Sequence, residues 1–271
     1  MNISQLEAIE TAVVDLSRSI GQWMKEERLG FDPSAIERKS FNSFVSYVDK
    51  EAEVRFVDAL REIVPDSGFI TEEGTADHRN ERFRWVIDPL DGTTNYIQGI
   101  PVYCTSVALM DRDELVLGVV YEPNLDECFH AFRGSGCKLN GLPCQVSGTG
   151  QLLKGLIATG FPYHDFERQT EYFQILRTFT EQSRGLRRLG SAAIDLAYVA
   201  CGRFEGFYEY GLNPWDVAAG SLLVREANGS VTDFKGGKNY LFGAEIIADN
   251  GLISNEFQQI IEEGFHGRSK P

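Results

Sequence analysis

The hydrophobic patterns along these 271 residues predict a mixed fold, α+β in the first part of the chain and α/β in the second, divided into two subdomains. Three observations carry that expectation. A long stretch of helical spacing opens the chain, strand-like segments on short turns fill its middle, and strands alternate with helices toward its end. Consecutive strands on short turns make an antiparallel sheet. The first subdomain (1–148) is therefore expected to hold such a sheet, and the second (149–271) a mixed one.

Taken in order, Ile3, Leu6, Ile9, Val13, Leu16, Ile20 and Trp23 recur at steps of three or four and share one face of a first helix. A second helix follows Asp49, with Val54, Val57, Leu60 and Val64 on one side, and stops where Pro65 and Gly68 interrupt it. Strands are expected at 83–87, 103–110, 115–121 and 127–133, parted by turn residues such as Asp111 to Asp113 and Pro123-Asn124. The glycine-rich stretch 134–150 reads as strand-poor and marks the boundary. Beyond it come a short strand at 155–159, an aromatic-rich helix at 166–182, the segment 186–190 and a helix at 192–200. A strand at 204–208, a helix at 216–227 and short strands near 230–233 and 245–248 complete the pattern.

The chain carries 26 basic and 40 acidic residues, a net charge of −14, which is the wrong sign for general nucleic-acid binding. An acidic protein that handles an anion must neutralise its own carboxylates where they meet it, and bound divalent cations do this. Excess acid also serves simply to solubilise a surface. The five cysteines include no C-x-x-C pair and read as buried thiols of a reducing compartment. No apolar run approaches the ~20 residues that span a bilayer, so a cytoplasmic protein without a membrane partner is expected. His78, His130, His164 and His266 show no ligand spacing and read as surface or loop residues.

The segment Trp85-Val86-Ile87-Asp88-Pro89-Leu90-Asp91-Gly92-Thr93-Thr94-Asn95 concentrates chemistry. An apolar strand runs into two aspartates, and Pro89 biases Asp88 away from helical geometry so that both carboxylates can converge beyond the strand end. Hard cations want such oxygen clusters. Gly92-Thr93-Thr94 then suits a helix start whose N–H groups face an anion. The same residue types also make an ordinary polar turn, and D-x-x-D-G alone does not decide between the two readings.

The longer run through Thr-Thr-Asn closely resembles the signature of the inositol monophosphatase family. Phe69-Ile70-Thr71-Glu72-Glu73-Gly74 looks like that family's upstream acidic pair, and Asn213-Pro214-Trp215-Asp216-Val217-Ala218-Ala219-Gly220 looks like its second signature. Gly136-Cys137-Lys138-Leu139-Asn140-Gly141 is similar to the turn that follows its strands, so the resemblance spans almost the whole chain. Singly, Glu72 and Glu73 would suit solvated loop charges, and Trp215-Asp216 a helix N-terminus. Two departures stand out. The chain reads Ser43-Phe44-Val45-Ser46-Tyr47-Val48-Asp49 where the family usually carries an earlier acidic residue, and Asn228 stands where a glycine is common.

The resemblance implies a layered αβαβα sandwich, a homodimer, and Mg²⁺-dependent hydrolysis of a small phosphate monoester, with inositol monophosphate as the leading substrate. It also implies that some bacterial relatives interact with the transcription apparatus. Glu72, Asp88 and the carbonyl of Leu90 would hold one Mg²⁺, and Asp88, Asp91 and Asp216 a second, about 3.5 to 4 Å away as in other two-metal sites. Glu73 would help a third ion near Glu72. Thr93 would contact the attacking water, with Asp49 accepting from its hydroxyl. Gly92 and Thr93 would give N–H groups to phosphate, and Gly190, Ser191, Ala192 and Glu209, with Asp91 and Asp216, would line the substrate pocket. Phosphatases of 3′-phosphoadenosine 5′-phosphate, fructose 1,6-bisphosphate or histidinol phosphate share these motifs and remain alternatives, with Arg187-Arg188 beside the pocket segment.

Overall fold

A 27-residue helix, α1 (Ile3–Leu29), begins the chain because Asn2 and Gln5 close a capping box around its first turn. The computed structural model describes residues 1–30, 37–40, 43–76, 81–162 and 166–266. After α1 come the antiparallel pair β1 (Glu37–Ser40) and β2 (Ser43–Val45), helix α2 (Tyr47–Ile63), β3 (Gly68–Thr71), β4 (Phe83–Asp91) and the short helix α3 (Thr93–Gln98). A meander follows: β5 (Cys104–Asp111), β6 (Glu114–Glu122) and β7 (Glu127–Phe132), then the small hairpin β8 (Lys138–Leu139) and β9 (Leu142–Pro143). The rest of the chain alternates as β10 (Leu156–Thr159), α4 (Gln169–Gln182), β11 (Gly185–Arg187), α5 (Ala192–Ala200), β12 (Gly206–Tyr210) and α6 (Pro214–Glu226). It finishes with β13 (Ser230–Thr232), β14 (Glu245–Asp249) and α7 (Ser254–His266).

The strands form a seven-stranded sheet, β3-β4-β5-β6-β7-β8-β9, and a five-stranded sheet, β11-β10-β12-β14-β13. Side chains alternate across each strand, so each sheet buries two faces. Trp85, Ile87, Val107 and Leu109 meet α1 and α2 on the outer face of the large sheet. Val86, Ala108, Met110 and Val120 point the other way, into a core shared with α5, α6, Phe207 and Ile246. Tyr208, Tyr210 and Ile247 cover the far face of the small sheet under Tyr172, Phe179 and Phe257 of α4 and α7. The layers are therefore αβαβα.

Several expectations need correction. The first sheet is not purely antiparallel, because β3 pairs with β4 in parallel. The stretch after β7 is not strand-poor: Asn140 and Gly141, at φ 50° and 79°, close the β8–β9 hairpin. Val54 is exposed, and α2 instead buries Val48, Asp49, Ala52, Glu53, Phe56, Val57 and Leu60. On α1 the buried stripe is centred on Leu6, Glu10, Val13, Ser17, Ile20 and Met24, while Ile3 is exposed. His130 is no surface residue; it is buried on β7 with Nδ1 2.9 Å from Glu10 Oε1. His78 and His164 lie outside the described residues. The helix expected from 166 begins at Gln169, and α7 carries a pattern that strand and turn signals did not register. Asn228 adopts φ 67°, a left-handed conformation that asparagine tolerates, which accounts for its standing where glycine is common.

Candidate active site

Asp88 and Asp91 are three residues apart, a spacing that sends side chains to opposite faces of a regular strand. Strand β4 does not end before them, as the sequence suggested, but carries a bulge. Asp88 pairs with Ser106 and Asp91 with Cys104, so one extra residue is inserted between them and both carboxylates return to one face. Pro89 sits in the bulge, where its missing N–H costs no ladder bond. Asp88 is 2% exposed, and its Oδ1 accepts from Leu90 N at 3.0 Å. Gly92 follows at φ 95°, and a side chain there would fall 2.9 Å from Val102 O, so glycine is required.

Three other stretches of chain meet this bulge. Glu72 extends β3, its N–H donating to Ile87 O at 3.3 Å, which sets its carboxyl within hydrogen-bonding reach of Asp88. Asp216 stands in the first turn of α6, where its Oδ2 accepts from Asn213 N at 2.6 Å. Asp49 occupies the equivalent place in α2. Its Oδ2 accepts from Ser46 N at 2.8 Å and Ser46 Oγ at 2.6 Å, and its Oδ1 lies 3.0 Å from Thr93 Oγ1. Thr93 Oγ1 is also 3.0 Å from Leu90 O, so its single proton has two acceptors within reach. In both helices a capping box turns an acidic side chain into a fixed site group.

The two sheets are tied together at the same place. Ser191 caps α5 by accepting from Ile194 N, and donates to Asp91 Oδ2 at 2.7 Å, beside Ala193 N at the same distance. Asn95 Nδ2 reaches both Val102 O and Leu189 O at 2.8 Å. Glu209 lies on β12, facing away from the aromatic layer of Tyr208 and Tyr210, and is 5% exposed. Its carboxyl packs over Gly160, where an added Cβ would come within 2.1 Å of it.

A cleft of about 160 Å³ is lined by Glu72, Asp88, Leu90, Asp91, Gly92, Thr93, Gly190, Ser191, Ala192, Glu209 and Asp216. Asp49 stands behind Thr93, buried. Glu73 is not brought to the cleft; its N–H donates to Glu53 Oε2 at 2.7 Å. Sequence reasoning missed Glu53, Gly160 and Asp195. Glu53 sits one helical turn after Asp49 on α2 and also accepts from Thr75 N and Oγ1, which shapes the loop after Glu72. The i, i+4 spacing from Asp49 was its signal. Asp195 lines the cleft from α5, and its signal was a lone charge in the otherwise apolar Ala-Ala-Ile-Asp-Leu-Ala-Tyr-Val-Ala. Gly160 carried no signal.

Electrostatics agree with the packing. Burial, with repulsion from Glu72, raises Asp49 to about 6 against the hydrogen bonds from Ser46 and Thr93. Burial raises Asp91 to about 6 as well, with Ser191 and Ala193 resisting. Burial, then the charges of Glu72, Asp91 and Asp216, pushes Asp88 well upward, and burial and Asp91 do the same to Asp216. Among the described residues no three acidic, histidine or cysteine side chains already close around a single point. Asp88, Asp91 and Asp216 each accept from a backbone N–H, which fixes the three carboxyl groups at the cleft. An all-oxygen donor set with so much uncompensated charge fits a hard divalent cation.

Residues 5–266 match the sequence profile described as the inositol monophosphatase family. The chain belongs to that family. It is 45% identical over 224 residues to Nus factor SuhB of Escherichia coli strain K12, covering 82% of this chain and 84% of that protein. It is also similar in structure to the extragenic suppressor protein suhB from Bartonella henselae. There the TM-score is 0.89 at 37% identity over 95% of this chain and 99% of that one. A Thermotoga maritima IMPase aligns with a TM-score of 0.85 at 35% identity, covering 94% and 96% of the two chains. Family membership and fold together support metal-dependent phosphatase chemistry, and the family generally uses divalent metals such as Mg²⁺.

Proposed function

We propose that this protein hydrolyses a small phosphorylated alcohol in the presence of Mg²⁺, with inositol monophosphate as the leading substrate. The observation that carries the reading is the convergence of Glu72, Asp88, Asp91 and Asp216, from separate stretches of chain, on one cleft beside the Asp49–Thr93 pair. Glu72, Asp88 and the Leu90 carbonyl would hold one ion, and Asp88, Asp91 and Asp216 another. When bound, Mg²⁺ neutralises phosphoryl charge and lowers the pKa of coordinated water. Thr93 Oγ1 would take a proton from the attacking water as its own hydroxyl proton passes to the Asp49 carboxylate 3.0 Å away, so that Asp49 ends up holding the proton. Ser46 keeps Asp49 in position for that task. Gly92 and Thr93 border the phosphate seat, while Gly190, Ser191, Ala192 and Glu209 border the alcohol. The cleft is thus shared by the two subdomains, 1–148 and 149–271.

Phosphate release from inositol 1-phosphate with and without Mg²⁺ tests the proposal. Release should require the ion, and Asp91→Asn, which weakens the hold on the cation that would stabilise transition-state charge, should reduce it by about 10²- to 10³-fold. The same assay with 3′-phosphoadenosine 5′-phosphate, fructose 1,6-bisphosphate and histidinol phosphate ranks the alternatives. Absence of Mg²⁺-dependent release from every ester would sink the phosphatase reading.

A second reading follows from the name Nus factor carried by relatives 45% identical to this chain. The protein would then act, alone or in addition, as a partner in the transcription apparatus. Its net charge of −14 points toward protein contacts over direct binding of nucleic acid. Asp91→Asn separates the two: a partner role survives the substitution and a catalytic one does not. Sedimentation at micromolar concentration tests the homodimer.

A further inference from the structure

The cysteines are not all buried, as the sequence suggested: Cys144 and Cys201 are half-buried. Cys137 and Cys144 face each other just outside the Lys138–Pro143 pair of the β8–β9 hairpin, and Cys144 N donates to Cys137 O at 2.9 Å. Opposed residues joined by a backbone bond stand about 5.5 Å apart at Cα, inside the roughly 4.4–6.8 Å that a disulfide spans. Their sulfurs lie 3.3 Å apart and both thiols are free. Packing accounts for Cys137, which is 2% exposed and belongs to the core between the sheets. It does not account for a second thiol that reaches solvent while touching the first.

The pair is also asymmetric. The hydrogen bond from Cys137 lowers the Cys144 thiol below its ordinary value, burial opposes that, and the charge of Arg203 adds to it. The same bond, with burial, pushes Cys137 upward. One sulfur is thus disposed to become the thiolate and the other to hold the proton. Cys201 stands near both, but burial raises it to about 11 and its Sγ is turned to Tyr198 O at 3.6 Å.

We propose that Cys144 is a site of reversible oxidation by hydrogen peroxide and that Cys137 is its resolving thiol, so that a disulfide closes the β8–β9 hairpin. The Cys144 thiolate attacks one peroxide oxygen and the O–O bond breaks, leaving a sulfenic acid and a hydroxide that is protonated to water. The Cys137 sulfur then attacks the Cys144 sulfur, and its proton departs with the sulfenic hydroxyl as a further water. The paired sulfurs are oxidised and the peroxide is reduced. An added dithiol reverses the change, as expected of disulfides that form transiently in a reducing compartment. Neither cysteine lines the cleft, so the inference is independent of the phosphatase reading.

The test exposes the unaltered protein, Cys144→Ser, Cys137→Ala and Cys201→Ser to hydrogen peroxide at pH 7, alkylates the remaining thiols and maps tryptic peptides without reductant. Trypsin cuts after Lys138, so the bridge joins peptides 134–138 and 139–154. That joined pair should dominate in the unaltered protein and in Cys201→Ser, and vanish with dithiothreitol. Cys144→Ser should lack it, and Cys137→Ala should instead hold a Cys144 sulfenic acid that dimedone traps. Without peroxide, iodoacetamide should modify Cys144 at least about tenfold faster than Cys201. Thiols that stay reduced, a bridge to Cys201 or between two chains, or equal alkylation of Cys144 and Cys201 would overturn the inference. The peptide map and the alkylation rates come from the unaltered protein, so they decide the matter even where a variant fails to fold.

Discussion

Gly160 shows how little space separates a working residue from a displaced one. Its hydrogen lies where a Cβ would come within 2.1 Å of the Glu209 carboxyl, so Gly160→Ala forces that carboxyl to move. A shift of about 1 Å in a positioning group costs up to ~100-fold, and kcat/KM for a polyol phosphate should drop by about 10- to 100-fold. Steady-state kinetics check this, and an unchanged KM would mean that Glu209 does not face the alcohol. Glu10 acts where α1 packs on β7. Burial alone would raise its pKa, but the hydrogen bonds and charges of His130 and Lys138 outweigh that and hold it below the usual carboxylate value. Its contribution is therefore present at neutral pH and fades as pH falls through that lowered pKa. Glu10→Gln should cost about 1.5–3 kcal/mol at pH 7, less in acid, by urea unfolding.

Elements α5 and α6 form the layer between the sheets; Gly220 permits their close approach to each other, and Gly118 the approach of α6 to the large sheet. A Cβ on Gly220 would fall 2.4 Å from Leu196 Cβ, and one on Gly118 of β6 would fall 2.8 Å from Ala219 O. Both helices begin at the cleft, through Ser191 and Asn213, so their separation also sets the distance between Asp91 and Asp216. Gly220→Ala should destabilise the fold by about 1–3 kcal/mol, the usual penalty for overpacking a core. It should also weaken Mg²⁺ binding. Thermal melts with and without the ion measure the two effects together, and a normal Mg²⁺ response in a destabilised variant would uncouple helix spacing from the site.

At the scale of the whole molecule, the site is the place where a strongly acidic protein concentrates buried charge. Burial pushes Asp49 and Asp91 up to about 6 and raises Asp88 and Asp216 well above the usual carboxylate value, all above their values in an unfolded chain. Between about pH 4, the ordinary carboxylate value, and those raised values, the folded protein holds protons that the unfolded chain has released. Stability without metal therefore declines as pH rises through that window. Above it the cluster is ionised and self-repelling, and a divalent cation offsets the repulsion. Mg²⁺ should accordingly raise Tm more at pH 8 than at pH 5.5. Equal shifts at both values would argue that these carboxyls do not bind it.

Residue types and their order determined much of this protein. The strands of the meander and the helices after Asp49 and at 192–200 were legible because periodicity is a local property, whereas Glu72, Asp88, Asp91 and Asp216, which line one cleft, were singled out together through the resemblance of their segments to a family signature. Pairing is not local. That β3 runs parallel to β4, that a bulge returns Asp88 and Asp91 to one face, and that Glu53 holds the loop beyond Glu72 were decided by which strands and helices meet. Val54 and Val57 are both valines of one helix, yet only Val57 is buried, because the neighbour that covers a face comes from elsewhere in the chain. Gly160 and Asp195 came to the cleft for the same reason: each stands near Glu209, a side chain brought there by the folding of the small sheet against α5.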